Sequence, residues 1–157
     1  MLKEKKKAPL GVVIQNQDGE DVSLNSMLGK WVILYFYPKD NTPGCTVEAQ
    51  GFRDEMHKLK RAGATVIGVS KDTPTSHQKF IKGHDLNFTL WSDPEHVLMD
   101  AFGTWQKKKF MGREYMGTTR STFLINPDGK IVKVWEEVTP LGHAEEVLIA
   151  LKQLKKQ

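Results

Sequence analysis

Apolar and polar residues fall in blocks along this chain, and the period changes from block to block. Gly11 to Leu24 (GVVIQNQDGEDVSL) sets two short β-forming segments around Asp18-Gly19, a pair that favours a tight hairpin turn. Trp31 to Tyr37 (WVILYFY) is an unbroken apolar run rich in β-formers, which predicts a strand buried on both faces. From Thr42 the period becomes helical: Phe52, Met56 and Leu59 recur at i, i+4, i+7 as a buried stripe. Thr42 suits the N-cap of this helix and Pro43 its first turn, where a missing N–H costs nothing. Lys58, Lys60 and Arg61 complement the negative C-terminal end, and Gly63 stops the helix. Gly51 lowers the propensity of its middle by about 1 kcal/mol relative to alanine. ATVIGVS (64 to 70) predicts a second buried strand, and Thr73-Pro74 and Asp93-Pro94 predict the starts of two more helices. STFLINPDGKIVKVWEE (121 to 137) predicts a hairpin turning at Asn126 to Gly129. Val147, Leu148, Leu151 and Leu154 give a last helix its apolar face.

Strands alternating with helices, then a closing hairpin and helix, predict a three-layer α/β fold with an N-terminal β-hairpin. Strand order is not readable from this pattern. No repeat, low-complexity stretch or Pro/Gly/Ser linker interrupts it, so one domain is expected over residues 1–157.

The composition adds exclusions. At 39% hydrophobic and 27% charged, the chain has a soluble globular balance, and its longest apolar run of seven residues is far short of a membrane span. MLKEKKKAP at the start is followed by no apolar segment, so no secretory leader is expected and the expected compartment is the cytoplasm. Net charge is +4 and the isoelectric point about 9.1. Of the 23 basic residues only four are arginines, and many lysines sit in runs that read as solvated faces. No helix-turn-helix, finger or aromatic-basic platform accompanies them, so no nucleic-acid partner is expected, and without a spanning segment no membrane partner is expected either. His57, His77, His84, His96 and His143 show no metal-ligand spacing and read as surface or cap residues, so no metal or cofactor is expected.

The chain has one cysteine. No internal disulfide is possible, which suits a reducing compartment. With Thr42 as N-cap, Cys45 is the third helical residue, beside unpaired backbone N–H groups and the positive end of the dipole. Such a position favours the thiolate, the nucleophilic form of a cysteine. The turn reads as one that makes a nucleophile, although an inert buried thiol has the same residue type.

The wider segment FYPKDNTPGCTVEAQGFRD (36 to 54) resembles the active-site segment of peroxiredoxins, thiol peroxidases with a thioredoxin-like fold. The likeness is closest to the bacterioferritin comigratory protein, or peroxiredoxin Q, group. Its Pro-x-x-x-Thr-x-x-Cys pattern is met by Pro38, Thr42 and Cys45, and VIGVSKD, FTLWSDPEHVLMDAFG and TTRSTFLINPDGKI are similar to later blocks.

The resemblance implies a thioredoxin-like three-layer sandwich. It also implies an antioxidant peroxidase that reduces hydrogen peroxide and organic hydroperoxides through a Cys45 sulfenic acid. Thr42 would hold the peroxide in line, or serve only as a cap. Pro38 would shield the sulfenic acid, or simply end the strand. Gly44 and Glu48 are in the style of the group. Glu48 would anchor the helix turn or bond the arginine, unless it is an ordinary exposed glutamate. Arg120 matches the distant arginine, whose planar fork can contact both thiolate and peroxide; its plainer reading is a surface salt bridge. GREYMG (112 to 117) reads as a mobile loop near the site.

One departure matters. Many of the group carry a resolving cysteine five residues after the first, where this chain has Gln50. The sulfenic acid would therefore need an external thiol: thioredoxin, glutaredoxin, glutathione or another small thiol. A disulfide oxidoreductase is disfavoured because residue 42 is threonine and Cys-x-x-Cys is absent, and a thiol sensor remains the non-enzymatic alternative. A monomer is expected.

Overall fold

The computed structural model describes residues 1–156. β1 (Ile14–Asn16) and β2 (Asp21–Val22) form the expected hairpin. Asn16 Oδ1 accepts from the Asp18 and Glu20 N–H groups, and Gly19 takes φ 75° in the turn. β3 (Trp31–Phe36) is the apolar run. Ile33, Tyr35 and the following Tyr37 point into one core with Phe52 and Leu59. Val32, Leu34 and Phe36 point into a second core with Phe102 and Phe123. Both faces of the strand are dry, so its sequence shows no alternation.

After β3 come α1 (Pro43–Arg61), β4 (Ala64–Ser70), α2 (Pro74–His84), β5 (Thr89–Ser92) and α3 (Val97–Phe102). Then follow β6 (Trp105–Phe110), β7 (Arg113–Thr118), β8 (Ser121–Ile125), β9 (Ile131–Trp135) and α4 (His143–Lys155). Seven strands make one sheet in the order β2-β1-β5-β4-β3-β8-β9. β3, β4 and β5 run parallel, while β8 runs antiparallel to β3 with Phe36 opposite Ser121. Residues of α1, α2 and α4 share the first core and those of α3 the second, which gives the three layers. Gly51 lies where α4 crosses α1: a Cβ there would stand 3.7 Å from the Ala144 Cβ. No helix among the described residues is long and apolar enough to cross a membrane.

Away from the first turn of α1, the structure departs from the sequence expectations in three places. Asp93-Pro94 does not begin a helix directly. Asp93 caps from a distance, its carboxylate accepting from the Val97 and Met99 N–H groups, while Pro94 and Glu95 form a turn and α3 starts at Val97. GREYMG is not a loop: Arg113 to Gly117 belong to β7, paired along its length with β6 as a separate two-stranded sheet. That hairpin is mostly exposed, so it lacks the alternation by which a half-buried strand is read. His77 and His143 are buried and hydrogen-bonded rather than at the surface.

Candidate active site

The register of β8 against β3 decides what meets Cys45. Phe36 lies opposite Ser121, so Arg120, one residue before β8, arrives beside the loop that leads from β3 into α1. Thr42 is extended at the N-cap position (φ −86°, ψ 153°) and Pro43 opens α1, placing Cys45 in its first turn. Cys45 is 1% exposed. The Arg120 fork spans two groups: Nη2 donates to Cys45 Sγ at 3.2 Å and Nη1 to Glu48 Oε1 at 2.7 Å. Glu48 sits one turn after Cys45 on the same helix face, fully buried, so the reading of it as an exposed helix glutamate is set aside. The surface salt bridge suggested for Arg120 is instead a largely buried ion pair.

Space is as specific as charge here. A Cβ on Gly44 would stand 3.2 Å from Arg120 Nη2 and 3.5 Å from Pro140 Cγ. A side chain at residue 44 would therefore press the guanidinium away from the sulfur. Above Arg120 the chain folds back, with the Val138 N–H donating to the Arg120 carbonyl. Pro38 is exposed at the rim of the β3–α1 loop.

Thr42 occupies the cap position without capping. Its hydroxyl donates to the Lys39 carbonyl at 2.8 Å instead of accepting from the helix. Among the described residues no side chain accepts from the first helical N–H groups of α1, so they are open to water or to a ligand oxygen.

Burial pushes the Glu48 carboxyl up from the ordinary 4.5 to about 7, with Arg120 pulling against it, and Glu48 Oε2 has no hydrogen-bond partner. Burial opposes the charge of Arg120 as well, but Glu48 and Cys45 hold the guanidinium above its usual range. For Glu48 the folded state retains a proton that the unfolded chain has released between pH 4.5 and 7, so stability falls as pH rises through that window. The fall amounts to about 3 kcal/mol. In Glu48→Gln, urea midpoints should therefore decline less between pH 5 and 7.5 than in the parent. Parallel declines would place the titrating group elsewhere.

A second buried cluster supports the loop from below, and sequence reasoning did not find it. Asp40 accepts from the Tyr37 hydroxyl at 2.6 Å and the Ser76 hydroxyl at 2.8 Å, and His77 Nδ1 lies 2.8 Å from its Oδ2. His77 Nε2 meets the Trp91 carbonyl at 3.0 Å, and the Asp40 N–H donates to Asp72 Oδ2. Asp40, Asp72 and His77 carry ligand-type atoms within 4.8 Å of one another, yet these atoms are already engaged by protein groups. The cluster ties α2 and β5 to residue 40 and so holds the start of α1 in place. Its only sequence signal was a polar Asp40 three residues after Tyr37. Gln50, where a resolving cysteine would stand, lies 3.5 Å from His84 Nδ1, and the other ring nitrogen of His84 reaches Asn41 Oδ1 at 3.1 Å.

Comparison with known proteins shows the family. Residues 5–134 match the model of the AhpC/TSA family. The chain belongs to this family and is a thiol-dependent peroxidase with a thioredoxin-like α/β fold. Among its relatives, Peroxiredoxin Bcp of Bacillus subtilis is 45% identical over 151 residues, covering 96% of each chain. Peroxiredoxin Bcp of Escherichia coli is 46% identical over 140 residues, 89% of this chain and 90% of that one. A peroxiredoxin Q of Xylella fastidiosa superposes with TM-score 0.93 at 35% identity, over 99% of this chain and 98% of that one. The bacterioferritin comigratory protein of Xanthomonas campestris, studied for alkyl peroxide reduction, superposes with TM-score 0.88 at 38% identity, over 92% of each.

Proposed function

We propose that Cys45 is the peroxidatic residue, that hydrogen peroxide and organic hydroperoxides are its substrates, and that an external thiol recycles it. The observation that carries this reading is the Arg120 Nη2 to Cys45 Sγ bond at 3.2 Å in a buried first helical turn. The thiolate attacks the terminal peroxide oxygen. An S–O bond forms, the O–O bond breaks, and the departing alkoxide or hydroxide takes a proton to leave as alcohol or water. Arg120 touches the nucleophile and supplies a fixed positive charge as negative charge passes to the leaving oxygen. The Thr42 proton is engaged by Lys39, so the Thr42 oxygen is an acceptor for the peroxide O–H and sets its line of approach. Gly44 leaves room for Arg120 and Glu48 anchors it, and the family pattern assigns the exposed Pro38 the shielding of the sulfenic acid from water.

Cys45 is the only thiol in the sequence, so the sulfenic acid condenses with an external one. The mixed disulfide forms with loss of water, and a second thiol releases Cys45 and takes the disulfide away. The proposed reductants are thioredoxin, glutaredoxin or glutathione, acting on one cytoplasmic, monomeric domain that spans the chain. Intact mass after one equivalent of peroxide tests this: one oxygen should add at Cys45, no intramolecular disulfide should form, and added thiol should reverse the gain. Steady turnover without any added thiol would overturn the external-reductant reading.

A further inference from the structure

The β6–β7 hairpin has no part in the chemistry above, and its composition is unusual for a surface element. Its two-residue turn is Met111-Gly112, both at positive φ (50° and 80°), with Phe110 paired to Arg113 at the base. Such a turn favours Asn, Asp or Gly at its first position, because an ordinary side chain is strained there. This chain instead places a methionine there, 88% exposed, beside Phe110 at 67%. Tyr115 and Met116 on the returning strand are half exposed. Around this apolar tip stand Lys107, Lys108, Lys109 and Arg113 against a single acid, Glu114, which pairs with Lys107. Among the described residues Lys108, Lys109 and Arg113 make no ion pair.

An apolar tip within a cationic collar is complementary to one kind of surface, an interface with hydrocarbon beneath and anionic groups above. The hairpin also reaches Arg120. Lys108 and Tyr115 line a cavity of about 420 Å³ whose other walls include Thr119, Val138 and Arg120, the residue that touches Cys45 Sγ. We propose that the hairpin is a docking finger for anionic bilayer surfaces, and that the substrates it brings to Cys45 include hydroperoxides of membrane lipids. The chemistry is the reaction already described, with the lipid hydroperoxide as oxidant and the lipid alcohol as product, so this part rests on the peroxidase reading. The sequence expectation of no membrane partner weighed only spanning segments, and a two-residue tip falls outside that test.

The test uses the variant Phe110→Ser/Met111→Asn. Asparagine suits the turn better than methionine, so the hairpin is kept while its apolar tip is lost. Flotation with vesicles of phosphatidylcholine alone and with 30 mol% phosphatidylglycerol measures docking. The parent should bind the anionic vesicles and leave them in 0.5 M salt, and the variant should bind at least tenfold more weakly. With hydrogen peroxide in solution the two proteins should react at equal rates, whereas with vesicle-borne phospholipid hydroperoxide the variant should be at least tenfold slower. No binding of the parent to anionic vesicles, or equal binding by the variant, overturns the proposal. A variant impaired only in recycling by a protein thiol also overturns it and makes the finger a protein contact. A parent that docks but consumes no hydrogen peroxide in solution would refute the peroxidase reading and leave the docking result standing.

Discussion

Cys45→Ser should consume no measurable peroxide with any thiol supplied, and it should melt within a few degrees of the parent. The loss is expected to be complete because the sequence contains no second thiol to take over the attack. A serine hydroxyl stays protonated near neutrality and is a poor nucleophile without a neighbouring base. Among the described residues the partner of Cys45 Sγ is a guanidinium, which donates and cannot accept a proton. Stability should hold because the swap keeps the shape of the side chain, and a hydroxyl oxygen can accept from Arg120 as the sulfur does. Paired peroxide-consumption and thermal-unfolding measurements decide it. Turnover above the direct, uncatalysed reaction of the supplied thiol with peroxide would mean that another group performs the attack.

Arg120→Met should lower the second-order rate with peroxide by about 10²–10³-fold, the usual effect of removing one fixed donor at a developing charge. It should also destabilise the protein, because Glu48 is buried and its other oxygen is already without a partner. An orphaned buried charge costs about 3–5 kcal/mol, less here because Glu48 can take up a proton in its place. The two effects separate in the double variant Arg120→Met/Glu48→Gln, which removes the stranded carboxylate. Stability should return toward that of the parent while the peroxide rate stays low. If rate and stability recover together, Arg120 acts only by holding the helix turn.

What could be read from the sequence divides along a physical line. Trp31 to Tyr37 announced its burial because both of its faces are dry, and Thr73-Pro74 announced a helix start because the cap is local, Thr73 accepting from the Ser76 N–H. The place of Cys45 in the first turn of α1 was legible from the same kind of local signal, although Thr42 at the cap position bonds the Lys39 carbonyl instead of capping. The Asp93 cap acts across a turn, so the same dipeptide misplaced the start of α3 by three residues. Arg120 is visible in the sequence only through family resemblance, since its meeting with Cys45 spans 75 residues and depends on strand register. Glu48 was ambiguous because one glutamate per helix turn looks alike whether it faces water or a buried arginine. His77 and Asp40 left almost no trace, for a buried polar pair 37 residues apart has no local period.

The depth of the sulfur has a kinetic consequence. With Cys45 only 1% exposed, the narrow O–O end of a hydroperoxide reaches its sulfur more readily than the thiol group of a recycling molecule does. Recycling is therefore expected to wait for the first turn of α1 to open, a local equilibrium with a rate of its own. Turnover should rise with thiol concentration only to a ceiling set by opening, and identical ceilings for chemically different thiols would be its signature. Below the ceiling, a second peroxide competes for the closed sulfenic acid and carries it one step further up the oxidation ladder. The ratio of opening to peroxide arrival thus sets how many turnovers each molecule completes before it falls silent.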